Sequence, residues 1–230
     1  MILRFIYPRF RKFLESHKEL DNFLGKYLVG NYTMPPSLAI PILAALTPDE
    51  HEVRLTDDNF GDPIDYDEKL DAVIISCFTP QAQRAYEIAD EYRKRGTTVL
   101  MGGIHPTALP DEAKLHADSV CIGEGEPVWP QILADLKAKS LKPFYKATAV
   151  YSLEQFPNPK RNIFRQDIYK WNAHLVLTTR GCPVQCDGCP IPDKEGIQVR
   201  LRPIENIVDD IRTMPYKQFY FTDDTIMLPG

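Results

Sequence analysis

Residues 71–103, DAVIISCFTPQAQRAYEIADEYRKRGTTVLMGG, decide the fold class of this 230-residue chain. The run Asp71–Phe78 is β-branched and almost wholly apolar, which is typical of a strand covered on both faces. Pro80–Arg95 has helical spacing of its apolar residues and stops at a glycine. The next strand is predicted over Thr97–Met101, and Gly102 and Gly103 follow it. Strand, helix and strand in this order predict a parallel βαβ unit.

The same alternation extends along the chain in both directions. Strands are expected at Ile2–Tyr7, Glu52–Asp57 and Ser119–Ile122, and helices at Ser37–Leu46, Pro110–His116 and Val128–Ala138. This pattern predicts an α/β fold, with a doubly wound parallel sheet over residues 1–140. Ligands of such sheets bind beyond the carboxyl ends of the strands. The loops there are Tyr7–Arg9, Ser76–Gln81, Gly102–Thr107 and Gly123–Glu126.

Two further segments follow the first domain. Residues 141–172 contain several prolines without periodicity, which predicts a linker of loose local structure with an edge strand over Lys146–Tyr151. Residues 173–230 resume the alternation, with strands at His174–Thr179 and Gln218–Thr222 around an amphipathic helix at Pro203–Met214. We interpret this last segment as the beginning of a second α/β domain.

Composition excludes several classes of protein. The net charge is −5 and no basic stripe with interleaved aromatics is present, which argues against a nucleic-acid binder. No apolar run is long enough to span a bilayer. Five cysteines, an odd number, do not form the disulfide framework of a secreted protein. Free thiols indicate a reducing, cytoplasmic setting.

Three of the cysteines form a CxxxCxxC array, Cys182, Cys186 and Cys189, in TRGCPVQCDGCP. Three thiolates on a short loop can bind three irons of a 4Fe-4S cluster and leave the fourth iron open to a small molecule. The alternatives are a structural zinc site, for which His174 is the nearest candidate fourth ligand, and accidental buried cysteines. Cys77 and Cys121 lie in apolar strands and are expected in the core.

The whole pattern resembles the radical S-adenosylmethionine (radical SAM) proteins that carry an N-terminal cobalamin-binding domain. The matching segments are MPPSLAIPILAAL, HEVRLTDDN, SCFTPQAQRAYEIADEYRKRG, MGGIHPTALPDEA and IGEGEPVWPQIL, followed by LTTRGCPVQCDGCP and FYFTDDTIML. The resemblance implies a Rossmann-like, cobalamin-binding first domain followed by the first βα units of an incomplete radical SAM barrel. Known members include carbon-centre methyltransferases and a ring cyclase.

The resemblance also implies roles for individual residues. The three cysteines would bind the cluster, and S-adenosylmethionine would chelate its open iron. Asp223 or Asp224 matches the position of an acid near the methionine amino group; a solvated strand end is the alternative. Cobalamin would lie across loops that contain Ser76, Thr79, Gly102, Gly103, His105 and Glu124. The chain has no DxHxxG sequence, so we interpret His105 as a hydrogen-bonded loop residue and not as a cobalt ligand.

The sequence departs from the family pattern at two points. Gly188 stands before the third cysteine, where the family usually has an aromatic residue. The sequence also covers only the start of a barrel, which leaves an open edge that a second copy or a partner chain could cover. The first hypothesis is therefore a cobalamin-dependent enzyme that methylates an unactivated carbon or catalyses a cyclisation. The alternatives are a non-catalytic cluster or cobalamin-binding module, and a truncation product without selected activity.

Overall fold

The first part of the molecule is a six-stranded parallel sheet. The computed structural model describes residues 1–10, 37–148, 150–165, 175–189, 191, 195–214 and 219–225. The strands are β1 (Ile2–Tyr7), β2 (Glu52–Asp57), β3 (Ala72–Ser76), β4 (Val99–Gly102), β5 (Ser119–Ile122) and β6 (Phe144–Lys146). Their spatial order is β2-β1-β3-β4-β5-β6, so the order reverses between β1 and β3, as in doubly wound folds.

Helices cover both faces of the sheet. They are α1 (Ala39–Leu46), α2 (Ala82–Lys94), α3 (Ile104–Ala108), α4 (Pro110–His116) and α5 (Trp129–Lys137). Helices α1 and α5 pack on one face, where Trp129 and Ile132 contact the cluster that includes Ile74. Helices α2 and α4 pack on the other face, with Ile75. Neighbouring residues of β3 thus enter opposite cores, as a pleated strand requires, and the predicted α/β class is confirmed.

Most elements lie where the apolar pattern predicts them, but the edge strand does not. The strands at 2–7, 52–57 and 119–122 and the helix at 110–116 have the predicted bounds. The predicted edge strand over Lys146–Tyr151 is wrong, because β6 ends at Lys146. Tyr145 fixes β6 in this position, since its ring is buried and its hydroxyl donates to Asp135 of α5 at 2.6 Å. The sheet therefore continues past residue 140.

A strap, residues 150–165, crosses from the sheet to the second part of the chain. It contains two 3₁₀ turns, Leu153–Gln155 and Arg161–Ile163. Leu153 and Phe156 are buried against Ile42 of α1, and Phe164 is buried in the main core. The interpretation of this segment as a loose linker is wrong for its described residues, because irregular backbone can still pack through single apolar side chains.

The second part contains one βαβ unit and one hairpin. The elements are β7 (Leu175–Val176), β8 (Thr179–Arg180), β9 (Arg200–Leu201), α6 (Ile204–Arg212) and β10 (Tyr220–Phe221). Strands β7 and β10 are parallel neighbours joined through α6, as predicted. Strands β8 and β9 form an antiparallel pair, which the sequence pattern did not predict. His174 and Gln218, which the predictions included, lie outside the described residues. Every helix in the described ranges is too short or too polar to cross a membrane.

The packing of the strap can be tested with one substitution. Leu153→Ala should lower the free energy of unfolding by about 2–5 kcal/mol, because it leaves a cavity at a side chain that is 1% exposed. Leu115→Ala is the matched control, since Leu115 is 74% exposed and its loss should change stability by about 0.5 kcal/mol or less. Urea unfolding measures both variants, and equal effects would contradict a packed strap.

Candidate functional site

An apolar slot opens at the carboxyl ends of the sheet strands, on the face that α1 and α5 cover. The slot is a cavity of about 50 Å³. Leu43 and Trp129 line it from the helices, and Ser76, Gly102, Cys121 and Gly125 from the sheet and its loops. It lies beside the reversal of strand order between β1 and β3, where doubly wound sheets bind their ligands.

Glycines bring the backbone close to this slot. Gly103 has φ +99°, and a Cβ there would lie 2.9 Å from the carbonyl oxygen of Cys77. Only glycine fits that backbone geometry. Gly125 has an ordinary conformation, and a Cβ there would make a normal contact with Leu43 at 3.5 Å. The wall at Gly125 is therefore open because a side chain is missing, and not because the backbone is strained.

Three of the predicted cobalamin-contacting residues, Ser76, Gly102 and Gly103, line the slot. Thr79 begins a 3₁₀ turn and is exposed. His105 is buried in α3 and turned toward α2, with its Nε2 atom 2.9 Å from the hydroxyl of Tyr86. That hydroxyl also donates to Glu112 at 3.0 Å. The imidazole thus belongs to a polar network beside the sheet and is not among the residues that line the slot.

The predicted iron ligands lie on the cysteine loop, residues 181–189, which follows β8. Cys186 is exposed, Cys182 and Cys189 are half-buried, and all three are free thiols. The amide of Cys182 donates to the carbonyl of Gly196 at 3.2 Å, which fixes the first cysteine. The hydroxyl of Thr225 donates to Cys182 Sγ at 2.9 Å. Within the described ranges, no three Cys, His, Asp or Glu side chains are arranged to hold a single metal ion.

The two remaining cysteines, Cys77 and Cys121, differ from those of the loop in the pKa of their thiols. Burial raises the pKa of the Cys77 thiol to about 12. Burial, and then the charge of Glu126, raises the pKa of Cys121 to about 12. Both thiols stay protonated at neutral pH, and thiolate is the form that binds metals. Cys77 is a core residue, as predicted, whereas Cys121 is partly buried and lines the slot.

Asp223 ties the end of β10 to the start of the hairpin. Its Oδ1 atom accepts from the amide and hydroxyl of Thr178, at 2.8 and 2.9 Å, and from the amide and hydroxyl of Thr179. Its Oδ2 atom is buried and has no hydrogen-bond partner among the described residues. Asp224, the other predicted acid, is exposed. The arrangement leaves one buried carboxylate oxygen of Asp223 available as an acceptor.

Glu124 takes part in an ion cluster with Glu126, Arg180 and Arg200. Arg180 contacts Glu124 at 3.2 Å and Glu126 at 2.6 Å. Arg200 contacts Glu124 at 2.8 Å and also donates to the carbonyl of Tyr151 at 2.7 Å. Every one of these four side chains is at most 13% exposed. The ion cluster joins the loop after β5 to the hairpin that carries the cysteine loop.

Pairing within the cluster opposes the effect of burial on Glu124 and Arg180. Burial by itself would raise the pKa of Glu124, but hydrogen bonds from Arg200 and the Tyr151 amide, with the charge of Arg180, hold that pKa below its usual value. Burial would lower the pKa of Arg180, and Glu126 and Glu124 raise it above its usual value instead. The sequence assigned Glu124 to cobalamin and did not single out Glu126, Arg180 or Arg200. Two sequence features could have indicated this ion cluster: the repeated Gly-Glu pair at the end of β5, and Arg180, which stands two residues before the first cysteine.

A second buried charge group supports the hairpin from the strap side. Asp210 of α6 accepts from Arg161 and from Arg202, each at 2.9 Å. The guanidinium of Arg202 also lies 5.1 Å from the ring centre of Phe156, and that of Arg180 lies 5.2 Å from it. The strap residue Phe156 thus contacts an arginine from each charge group, which links strap, hairpin and sheet.

The fold and the site define a two-part protein. One part is a doubly wound domain with an apolar slot at the carboxyl ends of its strands, and the other is a cysteine-loop module attached to the same edge. Comparisons with known proteins agree with this description. Residues 30–133 match the B12 binding domain. The first part of the chain is thus a B12 binding domain.

Two relatives and one solved structure illustrate the similarity. The bacteriochlorophyllide d C-8(2)-methyltransferase of Chlorobaculum tepidum is 37% identical over 171 residues, which cover 72% of this chain and 38% of that protein. The C-12(1)-methyltransferase of the same organism is 33% identical over 207 residues, covering 86% and 45%. The radical S-adenosylmethionine methyltransferase TsrM from Kitasatospora setae, solved with cobalamin and a 4Fe-4S cluster, shares the fold with a TM-score of 0.67 at 15% identity, over 97% of this chain and 47% of that one. The chain spans less than half the length of these relatives.

Two glycines of the cysteine loop provide a matched test of its geometry. Gly181 and Gly188 have φ values of +90° and +76°, so alanine at either position should cost about 1–2 kcal/mol. A Cβ at Gly181 would also overlap the carbonyl of Gln198, whereas nothing lies near Gly188. Gly181→Ala should therefore destabilise the protein more than Gly188→Ala in urea unfolding. Equal losses would show that the hairpin does not enclose Gly181 in this way.

Proposed function

We propose that the chain binds a 4Fe-4S cluster through Cys182, Cys186 and Cys189 and serves methyl transfer or cyclase-type chemistry that depends on S-adenosylmethionine. The observation that carries the proposal is the set of three free thiols on one short, accessible loop. The donor set fits the cluster, because each of three irons takes one thiolate and the fourth iron stays open. The hydroxyl of Thr225 on Cys182 Sγ fits as well, since hydrogen bonds to sulfur tune clusters of this kind.

The surroundings of the loop support a site for S-adenosylmethionine. A cluster of this type, when bound, supplies the electron that cleaves S-adenosylmethionine to a 5′-deoxyadenosyl radical. The protein's part is to hold and orient the methionine portion. The unpartnered Oδ2 atom of Asp223 would accept from its ammonium group, while Oδ1 keeps the carboxylate fixed on Thr178 and Thr179. Asp224, exposed beside it, would add negative charge to the same edge.

The slot supports a site for cobalamin. Its wall is apolar apart from Ser76, and Gly102, Gly103 and Gly125 leave the backbone accessible, which suits close approach of an apolar or aromatic group. Thr79 would contact the ligand from the exposed rim. His105 is held by Tyr86, which supports a binding mode without histidine on cobalt. Glu124 would act on the ligand through its loop, because its carboxylate is engaged with two arginines. The match to the B12 binding domain and the cobalamin bound in TsrM support this assignment.

The second part of the chain presents an apolar surface that we propose another polypeptide segment covers. Ile204 and Val208 of α6 and Tyr220 and Phe221 of β10 are exposed. Strand β10 pairs only with β7 among the described strands. A second copy or a partner chain that adds strands at this edge would cover Tyr220 and Phe221, and light scattering of the purified chain would reveal a self-associated form. If the surface stays uncovered, the alternative of a non-catalytic cluster or cobalamin module gains support.

We further propose a cytoplasmic location. The five cysteines, all in the described residues, are unpaired, and iron-binding thiolates persist in a reducing compartment.

The cluster proposal is tested by anaerobic reconstitution of the wild type and Cys186→Ala. The wild type should retain about four irons per chain, as one 4Fe-4S cluster requires, and its absorption spectrum should change with S-adenosylmethionine. Cys186→Ala should lose its bound iron while keeping its fold, because Cys186 is exposed. Cys77→Ala is the control and should retain iron. Unchanged iron content in Cys186→Ala, or zinc in place of iron, would refute the proposal.

The role of Asp223 is tested by the isosteric change Asp223→Asn. The amide oxygen can keep the Oδ1 contacts, whereas the amide nitrogen replaces Oδ2 as a donor and repels an ammonium group. Affinity for S-adenosylmethionine should fall about tenfold or more, as expected for loss of a charged hydrogen bond, with iron content unchanged. Asp224→Asn serves as the exposed control. Equal affinity of Asp223→Asn and the wild type would assign Asp223 a structural role only.

A further inference from the structure

The loop from Gly123 to Glu126 serves two parts of the molecule at once. Its glycines, Gly123 and Gly125, line the apolar slot. Its glutamates, Glu124 and Glu126, hold Arg180 and Arg200 of the hairpin. The glycines of this turn thus leave room at the slot, while the glutamates between them reach the hairpin.

The loop is also fixed at both of its ends. The amide of Gly123 donates to the hydroxyl of Thr107, at 3.0 Å, in helix α3, which follows β4. Glu126, at the other end, contacts Arg180 at 2.6 Å. Arg180 in turn stands only two residues before Cys182. A displacement of the slot wall therefore has a short, ionically bonded path to the first predicted iron ligand.

Breaking such a buried ion pair is strongly unfavourable, because the remaining charge is left without a partner. The loop and the hairpin are thus expected to move together and not independently. We propose that the Gly123–Glu126 loop couples occupancy of the apolar slot to the position of the cysteine loop, with Glu126 and Arg180 as positioning residues. The identity of the two ligands rests on the function proposed above, but the mechanical coupling of slot and loop does not.

The first experiment needs no cofactor and follows hydrogen exchange of the peptide that spans residues 178–189. Gly125→Val would fill the slot from its wall without backbone strain, since a Cβ there makes only normal contacts. It should change exchange in the 178–189 peptide about fivefold or more, the lower end of typical allosteric couplings. In a Glu126→Gln background, the same substitution should have little effect on that peptide.

Arg93→Gln provides the matched control. It removes a half-exposed ion pair with Asp118 away from this edge of the sheet, and exchange in the 178–189 peptide should stay at the wild-type rate. If Gly125→Val leaves the 178–189 peptide unchanged, or if its effect persists in the Glu126→Gln background, the coupling is refuted.

The second experiment uses hydroxocobalamin as the probe. Its dissociation constant should differ about fivefold or more between cluster-loaded and cluster-free wild type, and this ratio should approach one in Glu126→Gln. An equal ratio in both proteins would refute the proposed path. If the wild type binds no hydroxocobalamin, the proposed cobalamin function fails, and the exchange experiment decides the coupling alone.

Discussion

Four charges buried between the sheet and the hairpin determine how the two parts of this chain fit together. The ion cluster pairs two carboxylates with two guanidinium groups, so it is electrically balanced in a place with little water. The strands of the hairpin are two residues long, and short two-stranded hairpins are only marginally stable in water. The hairpin therefore takes its position from the charges and from Phe156 beneath Arg180, and hardly from its own strand pairing. Removal of Arg180 would take from buried Glu126 the arginine that lies 2.6 Å away, and removal of Glu124 would take from Arg200 the carboxylate at 2.8 Å.

The sequence predicted the sheet well because a strand that is buried on both faces consists of a continuous run of apolar residues, which can be seen in the sequence itself. Strand β3 is buried along its whole length, and its apolar run marks it without reference to any other residue. The strap and the ion cluster have no such continuous pattern in the sequence. Leu153 and Phe156 stand as single apolar residues in a proline-rich stretch, and the partners of Glu124 lie 56 and 76 residues away in the sequence. Pairing over such distances depends on the tertiary fold, which periodicity does not encode.

The candidate site shows the same division. The three cysteines could be recognised because the spacing of ligands on one loop is itself a local property. Gly102 and Gly103 were found because a strand that ends in glycine indicates close approach of the backbone to something else. The sequence predicted that His105 is hydrogen-bonded but not which residue it contacts, and it did not predict the arginine partners of Glu124. His105 turns to Tyr86, and Glu124 turns to the hairpin, since in each case a buried polar group requires a partner.

The alternation of glycine and glutamate after β5 explains why one short loop can belong to two sites. A slot requires missing side chains, whereas a buried ion cluster requires charged ones, and glycine and glutamate alternate along this loop. Thr107 holds the start of this segment and Arg180 its end, so it has little freedom to adapt to one side alone. Any ligand that enters the slot contacts the Gly123–Glu126 loop, and the glutamates of the same loop hold the arginines of the hairpin. The geometry of the cysteine loop is thus a property of the first domain as much as of its own sequence.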